Sequence, residues 1–238
     1  MSRNVEMIVF DMAGTTIKDN HEVEDCFFEA VNKTGLITTH DEINSLMGWS
    51  KLAVFQRLWK NQLPSAPDNE LNKLIDHSYS VFREILESHY RNSEILPTEG
   101  CMEIFEFLKT QNIKIALTTG FYRKVTDIIL QKLGWDDSLN NTDTKFINAS
   151  ISSDEVIASR PAPFMIFRAM KLCHVTDVRK IIKIGDTPSD LSEGKNAGCK
   201  FSFGITNGTH TKKELEKFEN DGLVENLLKF KVQLETIL

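Results

Sequence analysis

Asp11, Asp186 and Asp190 are the carboxylates best placed for chemistry, because apolar runs lead into them. Met7-Ile8-Val9-Phe10 precedes Asp11, and Lys180-Ile181-Ile182-Lys183-Ile184 precedes Gly185-Asp186-Thr187-Pro188-Ser189-Asp190. Such β-branched runs read as buried parallel strands, and open α/β sheets bind ligands just past the carboxyl ends of their strands. On its own stretch Asp11 reads either as a nucleophile or as a cap for the next element. Aspartates from two strand ends supply the oxygen ligands that a hard cation such as magnesium takes. That cation would offset the repulsion between Asp11 and an anionic substrate. Thr15, Thr16, Thr119 and Gly120 add hydroxyls and turn N–H groups that suit phosphoryl oxygens. Arg160, in Ser159-Arg160-Pro161, is the best-placed fixed cation. Taken singly, Arg160 reads as a surface residue ahead of a helix, and Asp190 as a first-turn carboxylate favoured by the helix dipole.

The elements that must position these residues fall into two grammars. After the first strand, residues 22–90 carry apolar residues at helical spacing and no convincing strand. Val23, Phe27, Phe28 and Val31 mark one helix that Gly35 ends, and a short one around Asp41 to Met47 breaks at Gly48. Ser50 reads as the N-cap of a helix through Trp59, and a long helix runs from Asn69 past Leu86. From Pro97 helix and strand alternate, which predicts βαβ units. Helices are expected over 98–110, 121–133 and 162–173, and strands over 113–117, 180–184 and 201–205, with a helix-rich end. The polar stretch 136–159 admits strands at Phe146-Ile147 and near Val156-Ile157. The expected fold class is therefore α/β: a doubly wound, mainly parallel sheet with an inserted all-helical cap domain. Residues 1–18 and 96–238 form the α/β core, and 19–95 the cap, which should sit over the strand end that carries Asp11.

Composition narrows the partners. Hydrophobic residues at 41% and charged residues at 26% are ordinary for a soluble globular chain. A net charge of -6 without a basic stripe argues against nucleic acid. The absence of an apolar leader or span-length run argues against a membrane and makes the cytoplasm the expected location. Four scattered cysteines suggest neither a disulfide framework nor a thiolate metal site. A small-molecule partner held by local cations and a metal remains. Helices 22–32 and 50–59 carry enough apolar surface for a homodimer contact or for packing within the cap, and both stay open.

With these motifs in order, the chain resembles the haloacid dehalogenase superfamily of aspartate-nucleophile hydrolases. Asp11-Met12-Ala13-Gly14-Thr15-Thr16, Thr119-Gly120, Arg160 where many members have lysine, and Gly185-Asp186-Thr187-Pro188-Ser189-Asp190 carry the resemblance. It implies a Rossmann-like core and an aspartyl-phosphate intermediate on Asp11. It also implies Mg2+ held by Asp11, the Ala13 carbonyl and Asp186, with Asp190 supporting the site.

Ala13 stands where most phosphatases of the superfamily carry a second aspartate, the acid that protonates the leaving oxygen. The phosphonoacetaldehyde hydrolase (phosphonatase) branch shares that alanine. Its members cleave a carbon–phosphorus bond after a cap lysine forms a Schiff base with the aldehyde. Met47-Gly48-Trp49-Ser50-Lys51 looks like the corresponding segment and implies Lys51 as the imine former. Thr118-Thr119-Gly120-Phe121-Tyr122-Arg123 also looks like that branch, which puts Thr15, Thr119, Gly120 and Arg123 on the phosphoryl group. Val54 departs from the pattern, because phosphonatases carry a histidine there.

The expected activity is thus a magnesium-dependent hydrolase cleaving phosphonoacetaldehyde or a related phosphonate. The alternatives are a phosphomonoesterase for a small phosphorylated metabolite and a phosphate-binding module without turnover.

Overall fold

A computed structural model of the chain describes residues 5–135 and 146–238. The elements run β1 (Met7–Phe10), α1 (Glu22–Thr34), α2 (His40–Ser45), α3 (Lys51–Gln62), α4 (Asp68–Asn92), α5 (Cys101–Thr110), β2 (Lys114–Thr119), α6 (Arg123–Leu133) and β3 (Ala149–Ser152). They continue with α7 (Phe164–Cys173), β4 (Ile181–Gly185), α8 (Pro188–Ala197), β5 (Phe201–Ile205), α9 (Lys212–Leu215), β6 (Gly222–Val224) and α10 (Leu227–Ile237).

The six strands form one parallel sheet in the order β3-β2-β1-β4-β5-β6. Chain order runs outward in one direction from β1 and in the other from β4, so the topological switch lies between those two strands. That is where a crevice opens at the carboxyl ends of an open sheet. Register brings the two ends level: Phe10 pairs with Ile184, and the Asp11 amide donates to Ile184 O at 2.9 Å. Side chains of β1 alternate between layers, Ile8 and Phe10 facing one core and Met7 and Val9 the other, where Met165 and Ile166 of α7 cover them. With both faces covered, β1 is buried throughout, as its unbroken apolar run predicts.

Helices α1 to α4 form an insert between β1 and the rest of the sheet. The chain leaves and re-enters side by side: Lys18 N donates to Leu96 O at 2.9 Å, and Thr98 N to Thr16 O at 3.0 Å. Inside the insert, Phe27 of α1 stacks on Phe82 of α4 at 4.3 Å and meets Phe55 of α3 at 5.3 Å. The apolar stripes of α1 and α3 therefore pack within the insert. Each aromatic pair adds about 0.5–1.5 kcal/mol beyond burial.

Several expected elements need correction. The strand expected at Phe146-Ile147 lies at Ala149–Ser152, where small and polar residues are buried between β2 and α7. No strand forms at Val156-Ile157; Ile157 is 90% exposed in a bent connection. The short edge strand β6 was not expected among the last residues. The 136–145 part of the polar stretch lies outside the described residues. Among the described residues, no helix is long and apolar enough to cross a membrane.

Candidate active site

The turn after β1 folds back on itself through amides of Thr15, Thr16 and Ile17 donating to Met12 O. This buries Asp11 and aims the turn hydroxyls inward: Thr16 Oγ1 donates to Asp11 O at 2.9 Å and Thr15 Oγ1 to Asp186 Oδ1 at 3.0 Å. Asp186 follows β4 and also accepts from Thr209 N at 2.6 Å. Asp190 sits at the third helical position of α8, where a capping box with Thr187 fixes it at 2.6 Å from the Thr187 hydroxyl.

Arg160 ties the strand ends together. Its guanidinium donates to Asp11 Oδ1 at 2.5 Å and to Glu193 Oε2 at 2.9 Å, lies 3.0 Å from Asp190 Oδ1, and donates to Thr118. A second buried cation, Lys183 of β4, reaches Asp190 at 2.7 Å and Glu193 at 3.4 Å. Sequence reasoning missed Lys183 and Glu193. A lysine inside an otherwise apolar strand was the available signal, since a charge there must find partners. Glu193 follows Asp190 by three residues and so shares its helix face.

The site is short of positive charge. Asp11, Asp186, Asp190 and Glu193 are buried carboxylates, against the buried cations Arg160 and Lys183 at the strand ends and Lys51 of the insert. Burial holds the Asp186 carboxyl above its ordinary range, and neighbouring Asp190 adds to this. Burial also pushes Asp11 up to about 7, although Arg160 works in the opposite sense. At Asp190, burial is outweighed by Arg160 and Lys183, which hold the carboxyl low. Ligand oxygens of Asp11, Asp186 and Asp190 all lie within 4.8 Å of one another. An all-oxygen donor set with an excess of buried negative charge fits a hard divalent cation.

Lys51 approaches from the insert. Ser50 caps α3 by accepting from Ala53 N at 3.3 Å, which makes Lys51 the first residue of the helix. Its side chain is 6% exposed, and its amine lies 5.3 Å from the Phe121 ring centre and 5.7 Å from that of Phe27. Among the described residues none makes a hydrogen bond or ion pair with that amine. Burial pulls its pKa from 10.5 to about 8, against the opposing pull of Asp11 and Asp19. The positive end of α3 acts in the same direction as burial.

Lys51, Asp11, Ala13, Asp19, Thr119 and Gly120 line one cavity of about 20 Å³, room for about a single water. The loop of the insert lies directly on the strand-end turns. Gly48, at φ 84°, faces Ser189 and Thr187 so closely that an added Cβ would lie 3.1 and 3.2 Å from their Cβ atoms. A Cβ on Gly120 would run into the Trp49 carbonyl.

Of the residues singled out in the sequence, the fold thus brings together Asp11, Ala13, Lys51, Thr15, Thr119, Gly120, Arg160, Asp186 and Asp190. It does not bring Arg123 there. Arg123 opens α6 and is held by Asp127 at 2.7 Å, Glu155 at 3.2 Å and Ser150 Oγ at 3.0 Å. It braces the β3 connection instead of reaching for a phosphoryl group. The Thr15 hydroxyl is likewise engaged with Asp186. Asp19, which had drawn no notice, lines the cavity.

The model of the haloacid dehalogenase-like hydrolases matches residues 8–203. The phosphonoacetaldehyde hydrolase of Bacillus cereus (strain G9842) is 30% identical, with 94% of this chain and 85% of that protein covered. Among solved structures, a phosphonoacetaldehyde hydrolase-like protein from Oleispira antarctica superposes with a TM-score of 0.80 at 18% identity, covering 99% of this chain and 93% of that one. A hydrolase from Pseudomonas syringae gives 0.77 at 19% identity, covering 98% and 99%.

Proposed function

The chain is a hydrolase that belongs to the haloacid dehalogenase-like family, and from that premise we propose that it cleaves the carbon–phosphorus bond of phosphonoacetaldehyde or a closely related 2-oxoalkyl phosphonate. One observation carries this reading: a buried Lys51 amine, without a hydrogen-bond or ion-pair partner among the described residues, shares a small cavity with Asp11, while the position two residues after Asp11 is an alanine. An alkoxide leaving group would receive no proton from Ala13. A carbon leaving group does not need one at that atom if its electron pair can be taken up elsewhere, and an imine nitrogen on Lys51 takes it up.

The neutral Lys51 amine adds to the aldehyde carbon, and loss of water leaves an iminium. An Asp11 carboxylate oxygen attacks phosphorus, the phosphorus–carbon bond breaks, and its electron pair passes into the iminium to give an enamine and an aspartyl-phosphate. The enamine carbon takes a proton, and water releases acetaldehyde from Lys51. A second water hydrolyses the aspartyl-phosphate to phosphate and restores Asp11. Arg160 holds Asp11 in position throughout, and Thr119 and the turn at Gly120 offer donors to the phosphoryl oxygens.

Asp11, Asp186, Asp190 and the Ala13 carbonyl would hold a magnesium ion, which when bound supplies charge neutralisation for the phosphoryl group. The cavity of about 20 Å³ is too small for a phosphonate, so the insert must lift for substrate to enter, with the paired crossings at residues 16–18 and 96–98 as its hinge.

The test is product analysis with phosphonoacetaldehyde beside a panel of phosphate esters, in magnesium. Equal amounts of phosphate and acetaldehyde are expected, with turnover of the esters slower by about 100-fold or more. Faster turnover of an ester would replace this reading with that of a phosphomonoesterase.

A further inference from the structure

We propose that Asp19 is the acid–base residue that moves protons to and from Lys51, a role resting on the Lys51 imine chemistry above. The need is local to this chain. Ala13 carries no proton, Val54 is apolar and buried, and no histidine lines the cavity around Asp11 and Lys51. Asp19 is the only carboxyl besides Asp11 that lines that cavity among the described residues.

Its position follows from the backbone. Residues 13–17 complete the turn after β1, and Asp19 lies between that turn and α1, where Val23 N approaches its Oδ1 at 3.4 Å. The side chain thus lines the cavity that Asp11 and Lys51 share. The groups around it are Glu22 and Cys26 of α1, Lys51 of α3, Tyr90 of α4, and Asp186 after β4. Four of these five are acids or weak acids, and Lys51 is the one base.

Asp19 and Glu22 form a carboxyl pair in which a proton favours Asp19. Burial, and then the hydrogen bond with Glu22, push Asp19 up to about 7. Glu22 is held below its ordinary range because its hydrogen bonds from Asp19, Asn20 and its own amide outweigh burial. A carboxyl pushed up to about 7 that shares a cavity with an amine pulled down to about 8 is matched for proton exchange in both directions.

Two transfers follow. As carboxylate, Asp19 takes a proton from the Lys51 ammonium and frees the lone pair that forms the carbon–nitrogen bond. The added nitrogen passes a proton to the new alkoxide to give the carbinolamine; as carboxylic acid, Asp19 then protonates its hydroxyl, the carbon–oxygen bond breaks, water leaves, and the nitrogen lone pair closes the iminium. Asp19 ends as the carboxylate, and no other reactant is consumed.

The experiment mixes wild type, Asp19→Asn, Asp19→Ser and Asp19→Glu with phosphonoacetaldehyde, quenches with borohydride at intervals, and weighs the peptide that contains Lys51. In wild type the adduct should form rapidly, at a rate that changes with pH around 7. Asp19→Asn and Asp19→Ser should form it about 100-fold more slowly or worse, with that pH dependence gone, and Asp19→Glu should recover part of the rate. Loss of fold would instead lower all variants together and leave the shape of the pH profile unchanged, a result that overturns the proposal. Adduct formation at the wild-type rate in either Asn or Ser variant also overturns it. Absence of any adduct in wild type removes the Lys51 chemistry itself, and is distinguishable because it appears before any Asp19 variant is considered.

Discussion

Arg160 donates to Asp11 Oδ1 at 2.5 Å, across 149 residues of sequence, while among the described residues no carboxylate makes a hydrogen bond or ion pair with the Lys51 amine. Had Asp11 paired with Lys51, the amine would be a stable ammonium and useless as a nucleophile. Because the guanidinium cannot lose its proton under ordinary conditions, it positions Asp11 at any working pH and leaves the only readily titrating cation of the cavity on the insert. Separation of the fixed cation from the reactive one is the main electrostatic feature of this site.

Lys51→Met should stabilise the protein at pH 7. The folded pKa of Lys51, about 8, lies below its ordinary value of 10.5. Below pH 8 the amine is charged in both states, so the folded state bears the full cost of burying that charge, on the order of 3 kcal/mol. Between pH 8 and 10.5 only the unfolded chain holds the proton, and wild-type stability rises with pH. The advantage of Lys51→Met in urea unfolding should therefore be largest at pH 7 and shrink as pH climbs toward 10. A constant difference across that range would contradict the buried-amine assignment.

Lys183→Met should be strongly destabilising despite the apolar replacement. It removes one of two cations facing Asp190 and Glu193, which are fully buried. Breaking one side of such a network costs about 3–5 kcal/mol. Adding Glu193→Gln should return part of that loss, measured as a double-mutant cycle in denaturant.

Much of this arrangement was legible in the sequence, for reasons that can be given residue by residue. Asp11 and Asp186 announce themselves because each ends a β-branched run, and adjacent parallel strands put their carboxyl ends level. Lys51 was legible only through likeness of its segment to a family, since a lysine after an N-cap serine looks solvated until the insert is seen to close on Phe121, with Phe27 of α1 on the other side of the amine. Arg123 misled because its neighbours in sequence belong to the site, whereas its partners Asp127 and Glu155 are set by the turn of α6 and by a connection 32 residues away. β3 was misplaced because Ala149-Ser150-Ile151-Ser152 has weak strand propensity and becomes a strand through burial against β2. Asp19 gave no signal, because nothing local tells that the chain turns its side chain inward before α1.

Gly120→Val should impair catalysis more than folding. The strand-end turn meets the Trp49 carbonyl where the side chain would go, so closure of the insert is penalised by about 1–3 kcal/mol. The expected outcome is a fall in kcat/KM of about tenfold or more with little change in Tm. A large loss of Tm with unaltered kcat/KM would show that the contact serves stability alone.

Magnesium should raise Tm in wild type and not in Asp186→Asn. A ligand at 100 times its Kd stabilises by about 2.7 kcal/mol, and Asp186 is the carboxylate of the cluster that no lysine or arginine pairs with among the described residues. Removing the metal with a chelator should abolish phosphate release, and added magnesium should restore it. An equal thermal shift in wild type and Asp186→Asn would place the metal elsewhere.

The central claim, that Lys51 and Asp11 act on one substrate from opposite sides of one cavity, is tested most directly by borohydride reduction during turnover of phosphonoacetaldehyde, followed by mass measurement of the modified peptide. The account predicts a reduced two-carbon adduct on Lys51 in wild type. It predicts an adduct that retains the phosphono group in Asp11→Asn, where the imine forms but the carbon–phosphorus bond stays intact. An unmodified Lys51 in a wild type that still releases phosphate and acetaldehyde would contradict it.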